Sequence, residues 1–191
     1  LHAHLIDFFD TDAVFTGDRS TDFDTELKNF GTEFFRALQL ATWVELYRDA
    51  PVRALTFVDR AVALSSGAGL VRAPTLRIDL LHCRINALIA LDDPRSVARA
   101  RRDVDRIVHI GTPFAHAVAE TARARFARRE GEDGEAIARL ESAEHAYVAL
   151  GAMLLATCAK RRRGLWLRDE GRALVIEADA WLVAHGFESP E

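Results

Sequence analysis

Arginine is the residue type with the most chemistry to offer in this chain. Arg123, Arg125, Arg128 and Arg129 fall in one helical stretch, and Lys160, Arg161, Arg162 and Arg163 fall in a later comparable one. A guanidinium presents its N–H donors as a planar fork that fits carboxylate and phosphate oxygens two at a time. Arg125 and Arg162 are 37 residues apart, the same separation as Gly134 and Gly171, which open the helices that follow them. Equivalent positions in successive helix pairs share a face. Arg125, Arg128 and Arg162 are therefore expected to form a protein-binding surface for an acidic or phosphorylated segment. The ordinary alternative is a solvated arginine face, because Arg is a good helix former that keeps surfaces wet.

Other residues of chemical interest are weaker candidates. His2-Ala3-His4 with Asp7 and Asp10 has the residue types of a metal site. His-x-His converges on a strand, however, and the context here is helical, where residues two apart diverge. Asp10-x-Asp12 begins like a calcium loop, but Val14, Phe15 and Thr21 stand where a ligand, a glycine and a glutamate are needed. No metal or cofactor is expected. No serine sits in a G-x-S-x-G elbow. His82, His109, His116 and His145 lie singly on helices. A second functional reading is a helical enzyme or small-ligand pocket lined by His82, His109 or Arg84, which a deep cavity with converging polar groups would mark. Cys83 and Cys158 lie in separate apolar stretches and read as small core residues of a reduced, cytoplasmic protein.

The elements that would position these residues are helices. Pro and Gly punctuate the chain regularly, and apolar residues between them recur at helical spacing. One set of helices opens at Asp49-Ala50-Pro51, Asp92-Asp93-Pro94, Glu132-Asp133-Gly134 and Asp169-Glu170-Gly171. Their expected inner faces are Val52, Leu55, Val58 and Val62; Val97, Ala100, Val104 and Ile107; Ile137, Leu140, Ala143 and Tyr147; and Leu174, Ala178, Trp181 and Leu182. Partner helices are expected over about Thr32–Arg48, Pro74–Leu91, Thr112–Arg129 and Ala152–Arg168. The last helix is expected to seal the core, with Trp181 inward. No period-2 stretch of useful length suggests a sheet. The fold class read here is all-α, a tetratricopeptide-like α-solenoid of about four helix pairs over residues 30–191. A compact bundle gives the same local signals, and the drifting repeat spacing favours the solenoid. Residues 1–29 read as an acidic helix remnant and loop linking to upstream domains, in a chain that starts at Leu1 and is expected to be a piece of something longer.

The net charge of −4 conceals a split. Residues 1–50 carry ten acids against four bases, residues 51–165 nineteen bases against thirteen acids, and residues 166–191 six acids against two bases. A basic middle suits an acidic partner or the chain's own acidic ends. Nucleic acid is disfavoured by the acidic total and by the lack of an aromatic-basic interleave. The longest apolar run, Val148 to Ala159, is too short to cross a membrane, which takes about twenty residues.

Leu76-Arg77-Ile78 with Cys83-Arg84, Ala136 to Leu140 with Gly151, and Ala159-Lys160-Arg161-Arg162-Arg163 leading to Gly171-Arg172 and Ala178-Asp179-Ala180-Trp181 carry a family resemblance. With the closing Gly186-Phe187-Glu188-Ser189-Pro190, they resemble the C-terminal tetratricopeptide-like region of bacterial signalling proteins. In that family a serine/threonine protein kinase is fused to a nucleotide-binding ATPase of the STAND/AAA type. Leu182, His185 and Ser189 stand where that family commonly has Met, Gln and Asn. The resemblance spans about two thirds of the chain and is most specific over its last fifty residues. It implies a regulatory or scaffolding role in cytoplasmic signalling, with a protein partner or the upstream domains as ligand. It implies no phosphoryl transfer by these residues, which include no Gly-rich loop with Lys, no His-Arg-Asp and no Asp-Phe-Gly.

Overall fold

The computed structural model describes residues 31–67, 69 and 72–187. His2, His4, Asp7, Asp10 and the acidic segment over 1–29 lie outside them. The described residues form eight α-helices and no strand: α1 Thr32–Tyr47, α2 Pro51–Gly67, α3 Pro74–Ala90, α4 Pro94–Val108, α5 Pro113–Arg129, α6 Asp133–Ala149, α7 Met153–Leu167 and α8 Arg172–Ala184. The fold is all-α. Among the described residues, no helix is long and apolar enough to cross a membrane.

The helix boundaries follow from punctuation that is chemically simple. Pro51, Pro74, Pro94 and Pro113 each occupy the first position of a helix, where the missing N–H has no intrahelical partner to lose. Asp93 Oδ1 accepts from the backbone N–H of Arg95 and Ser96 at 2.9 and 3.0 Å, and the Thr112 side chain accepts from Ala115 N–H at 3.1 Å. These bonds satisfy donors that a helix start leaves open. At the other ends, Gly131 and Gly151 turn left-handed, and the N–H groups of Glu132 and Ala152 bond back to Ala127 and Tyr147 carbonyls at 2.9 Å. Asp49 and Asp92 occupy the same left-handed position with φ of 56° and 58°. They close α1 and α3, while Asp93 caps the start of α4.

By contact the chain falls into two compact units, divided within α4 between Asp103 and Val104. In the first unit α1 packs on both α2 and α3, and α2 on α3. Its core holds Phe35, Leu38 and Ala41 of α1, Phe57, Val58, Ala61 and Leu64 of α2, and Leu80 and Cys83 of α3. Of the expected inner residues of α2, Val58 is buried and Leu55 and Val62 pack partly buried against the core, while the centre of the inner face is shifted. Ala54, Phe57, Val58, Ala61 and Leu64 are buried, whereas Val52 is 67% exposed. Small alanines let the neighbouring helices approach on a side that a search for large apolar residues passes over. The expected inner residues of α4, namely Val97, Ala100, Val104 and Ile107, are all buried.

In the second unit α5 packs on α6, α6 on α7 and α7 on α8. Buried charges tie neighbouring helices together in both units. Arg84 on α3 grips Asp103 on α4 through two bonds of 2.7 Å. Glu120 on α5 receives Arg139 of α6 at 2.9 Å, and Glu144 on α6 receives Arg163 of α7 at 2.9 Å. All three pairs span 19 residues, and the last two reverse the polarity of the first. Each buried charge is costly without its partner, so a helix matched to the wrong neighbour is penalised.

The end of the second unit departs from the expected seal. Ala178 and Leu182 of α8 are buried, but Trp181 is only half-buried and stacks on His185 with ring centroids 3.8 Å apart. Ile176 and Val183 on the outer side of α8 are 60% and 61% exposed. α8 enters after the 3-10 turn Arg168–Gly171, and its seating depends on two glycines. A Cβ on Gly164 would lie 2.8 Å from the Gly171 carbonyl oxygen and from Val175 Cγ2, and a Cβ on Gly171 would collide with the Gly164 backbone. Gly134, at the matching place in the sequence, faces open space.

Candidate functional site

Helix geometry sorts the basic residues of the second unit into two groups. On α7 the run Lys160-Arg161-Arg162-Arg163 points in successive directions, about 100° apart. Three of the four meet acids on α6 or α8. Lys160 Nζ is 2.7 Å from Glu177, Arg161 Nε is 2.6 Å from Asp179, and Arg163 reaches Glu141 and Glu144 at 2.6 and 2.9 Å. On α5, Arg123 pairs with Glu120 at 2.9 Å. The three residues of α7 join helices, whereas the Arg123–Glu120 pair lies within α5.

The second group lies where α5 faces α7. Thr121, Arg125 and Arg128 recur along one stripe of α5, and Cys158, Arg162 and Trp166 along one stripe of α7. An electrostatic interaction and a cation–ring contact link the two stripes at their second and third positions. At the first, Tyr147 of α6 reaches in, with its hydroxyl 3.3 Å from Thr121 Oγ1. At the second, the charge of Arg162 acts on Arg125, like on like. At the third, the Arg128 guanidinium lies 5.8 Å from the centroid of the Trp166 ring, and Arg128 also pairs with Asp133. Long side chains, not backbone contact, bridge this face.

The electrostatics are those of cations held under tension. Burial pushes the Arg125 guanidinium down to about 10, and the charge of Arg162 adds to the shift. Burial is also the first cause of the lowering at Arg162, whose side chain as a whole remains exposed. Both remain charged at neutral pH. Burial raises the Tyr147 hydroxyl, so it stays a neutral donor, and raises the Cys158 thiol against the lowering effect of Arg162 and then Arg161. This face can hold anions; it has no activated nucleophile.

The charge of Arg162 acts on Arg125, and Arg128 lies one turn further along α5. Trp166, Thr121 and Tyr147 belong to the same face and were missed. The available signal was the spacing of Trp166, four residues beyond Arg162. The residues of the pocket reading are placed differently. Arg84 is buried with both ends of its fork on Asp103, His82 stands edge-on to Trp43 at 5.5 Å, and His109 is exposed, with Nδ1 2.6 Å from the Asp105 carbonyl oxygen. An open cavity of about 400 Å³ at the start of α5 is lined by Val108, Gly111, Thr112, Pro113 and His116. Among the described residues, no three His, Cys, Asp or Glu side chains cluster to hold a metal. No family model, curated protein or solved structure matches this chain.

Proposed function

We propose that this chain is a non-enzymatic protein-interaction module, a tetratricopeptide-like helical-repeat tail of a cytoplasmic bacterial signalling protein of the kinase–ATPase type. Its work is to bind an acidic protein segment, or an acidic part of the upstream domains, on the α5–α7 face. The action of the Arg162 charge on Arg125 carries this reading. Burial lowers both guanidiniums, and the charge of Arg162 adds to the lowering at Arg125, a cost that a bound anion would offset. A surface retained only for solubility has no reason to crowd like charges.

The test is fluorescence anisotropy with a labelled acidic peptide, comparing the parent with the combined Arg125→Gln, Arg128→Gln, Arg162→Gln variant. The parent should bind, with affinity falling steeply as salt rises. The variant should keep its helical circular dichroism and lose most of the affinity. Equal affinity and equal salt dependence in the two proteins would sink the proposal.

A further inference from the structure

Charge is distributed unevenly along the helix axes of the second unit. At one end the α5–α6 turn runs Arg128-Arg129-Glu130-Gly131-Glu132-Asp133 and the α7–α8 turn Arg168-Asp169-Glu170. The other end is made by the α4–α5 and α6–α7 connections and the close of α8. Phe114 and Tyr147, with ring centroids 6.2 Å apart, set the start of α5 beside the end of α6. The Lys160–Glu177 and Arg161–Asp179 pairs set the close of α8 beside the start of α7. Residues 107–119, 145–159 and 180–187 form this end and the turns behind it, and they include no Lys, Arg, Asp or Glu. Arg106, in the last turn of α4, borders them. This end exposes Val108, Val148, Leu150, Met153, Leu154 and Val183, six of the eleven large apolar side chains exposed among the described residues. The same segments carry His109, His116, His145 and His185, all exposed. The open cavity lined by Val108, Pro113 and His116 belongs to this end.

The concentration of apolar side chains calls for a cover. Six aliphatic chains and four imidazoles together expose an area on the order of the ~800 Å² that each partner buries in a stable interface. The charge pattern selects the occupant. A strongly acidic or basic protein would find no counter-charge here. An anionic bilayer surface is held by Lys and Arg, which these segments lack. Two copies of one chain meet about a two-fold axis, where each charge near the axis faces its own kind. A surface without charges escapes that repulsion and so complements itself.

We infer that this end of the second unit is a self-association surface, and that its occupant is the same end of a second copy of this chain. The aliphatic side chains of the two connections and of α8 form its apolar centre, and the imidazoles supply its polar contacts. This inference does not depend on the α5–α7 face.

The test is sedimentation velocity on the whole 191-residue chain over micromolar concentrations, which should show a reversible monomer–dimer equilibrium. Leu150→Glu and Val183→Glu each place a carboxylate where it meets its own copy. Each should weaken the dimer by about tenfold or more. Helical circular dichroism should hold, because these side chains are already 42% and 61% exposed. Ile176→Glu, two turns earlier on α8 and equally exposed, should leave the dimer within about twofold. Met153→Ser removes apolar area without adding charge, should weaken the dimer by a smaller factor, and repeats the test where a glutamate unsettles the fold. A monomer throughout the range overturns the inference. A dimer that survives Leu150→Glu and Val183→Glu, or that Ile176→Glu alone disrupts, overturns its placement. Co-sedimentation of a monomer with phosphatidylcholine–phosphatidylserine vesicles, lost in Leu150→Glu, would replace the second copy by a membrane surface and overturn it too.

Discussion

Arg162 is the residue on which stability and function should pull apart. Its charge acts on Arg125, so removing it relieves a repulsion even as it removes a ligand-binding fork. Arg162→Gln should stabilise the fold slightly, by about 0.5 kcal/mol once solvent screening is allowed for, read as a small rise in melting temperature, while weakening peptide binding. A drop in melting temperature would mean that Arg162 holds the fold. The two thiols lie in different units, Cys83 in the core of the first and Cys158 on α7 of the second. Burial pushes the Cys83 thiol up to about 12 from 9.0. Between those values the folded protein keeps a proton that the unfolded chain has lost, so this group's contribution makes stability fall as pH rises from about 9 towards 12. At neutral pH a thiol reagent should label Cys158 alone, and Cys83 only on unfolding. Arg162→Gln should slow the labelling of Cys158, because the charge that favours its thiolate is gone. Unchanged labelling would separate Arg162 from that face. The 37-residue recurrence of Arg125 and Arg162 was legible in the sequence, and Trp166, four residues beyond Arg162, carried the same helical spacing. The meeting of Thr121 with Tyr147 was not, because spacing within one helix does not say which residue of another reaches it.

At the level of elements, the starts and stops were the most legible part of the chain. Proline at the first helical position and a left-handed residue past the last each have a local cause that needs no tertiary context. Faces were less legible. The inner side of α4 read correctly because its valines and isoleucine contrast with charged neighbours, but α2 buries alanines at 54 and 61 and exposes Val52. The buried acids Glu45, Glu120 and Glu144 were invisible for a related reason: a carboxylate is inside only when a guanidinium from another helix meets it, and that meeting is tertiary. Gly171 was read as a helix opener like Gly134, and its contact with Gly164 gives it a different burden. Gly171→Ala should destabilise the second unit by about 1–3 kcal/mol or more, because backbone, not a flexible side chain, must move. Gly134→Ala meets nothing and should be close to neutral or slightly stabilising, since alanine is the better helix former. Denaturant melts of the two variants check this, and equal effects would contradict the close approach of α7 to α8.

Across the whole chain, the all-α class and the alternation of helices with short connections followed from periodicity and punctuation. The division into two units did not, because it falls inside the continuous helix α4 and leaves no Pro, Gly or polar linker to announce it. The exposed Ile176 and Val183 on α8 likewise escaped the expectation of a sealed end, since their helical spacing is that of any apolar face. They also provide the natural rival to the arginine face as a place for a partner. The most direct measurement is therefore one that reports location as well as affinity: a two-dimensional NMR titration of the labelled chain with the acidic peptide, following arginine Nε–H, tryptophan Nε1–H and methyl signals. The Nε–H signals of Arg125 and Arg162 and the indole signal of Trp166 should shift together and saturate at one equivalent, with the methyls of Ile176 and Val183 unmoved. Saturable shifts confined to Ile176, Val183 and their neighbours, with Arg125 and Arg162 silent, would contradict the account.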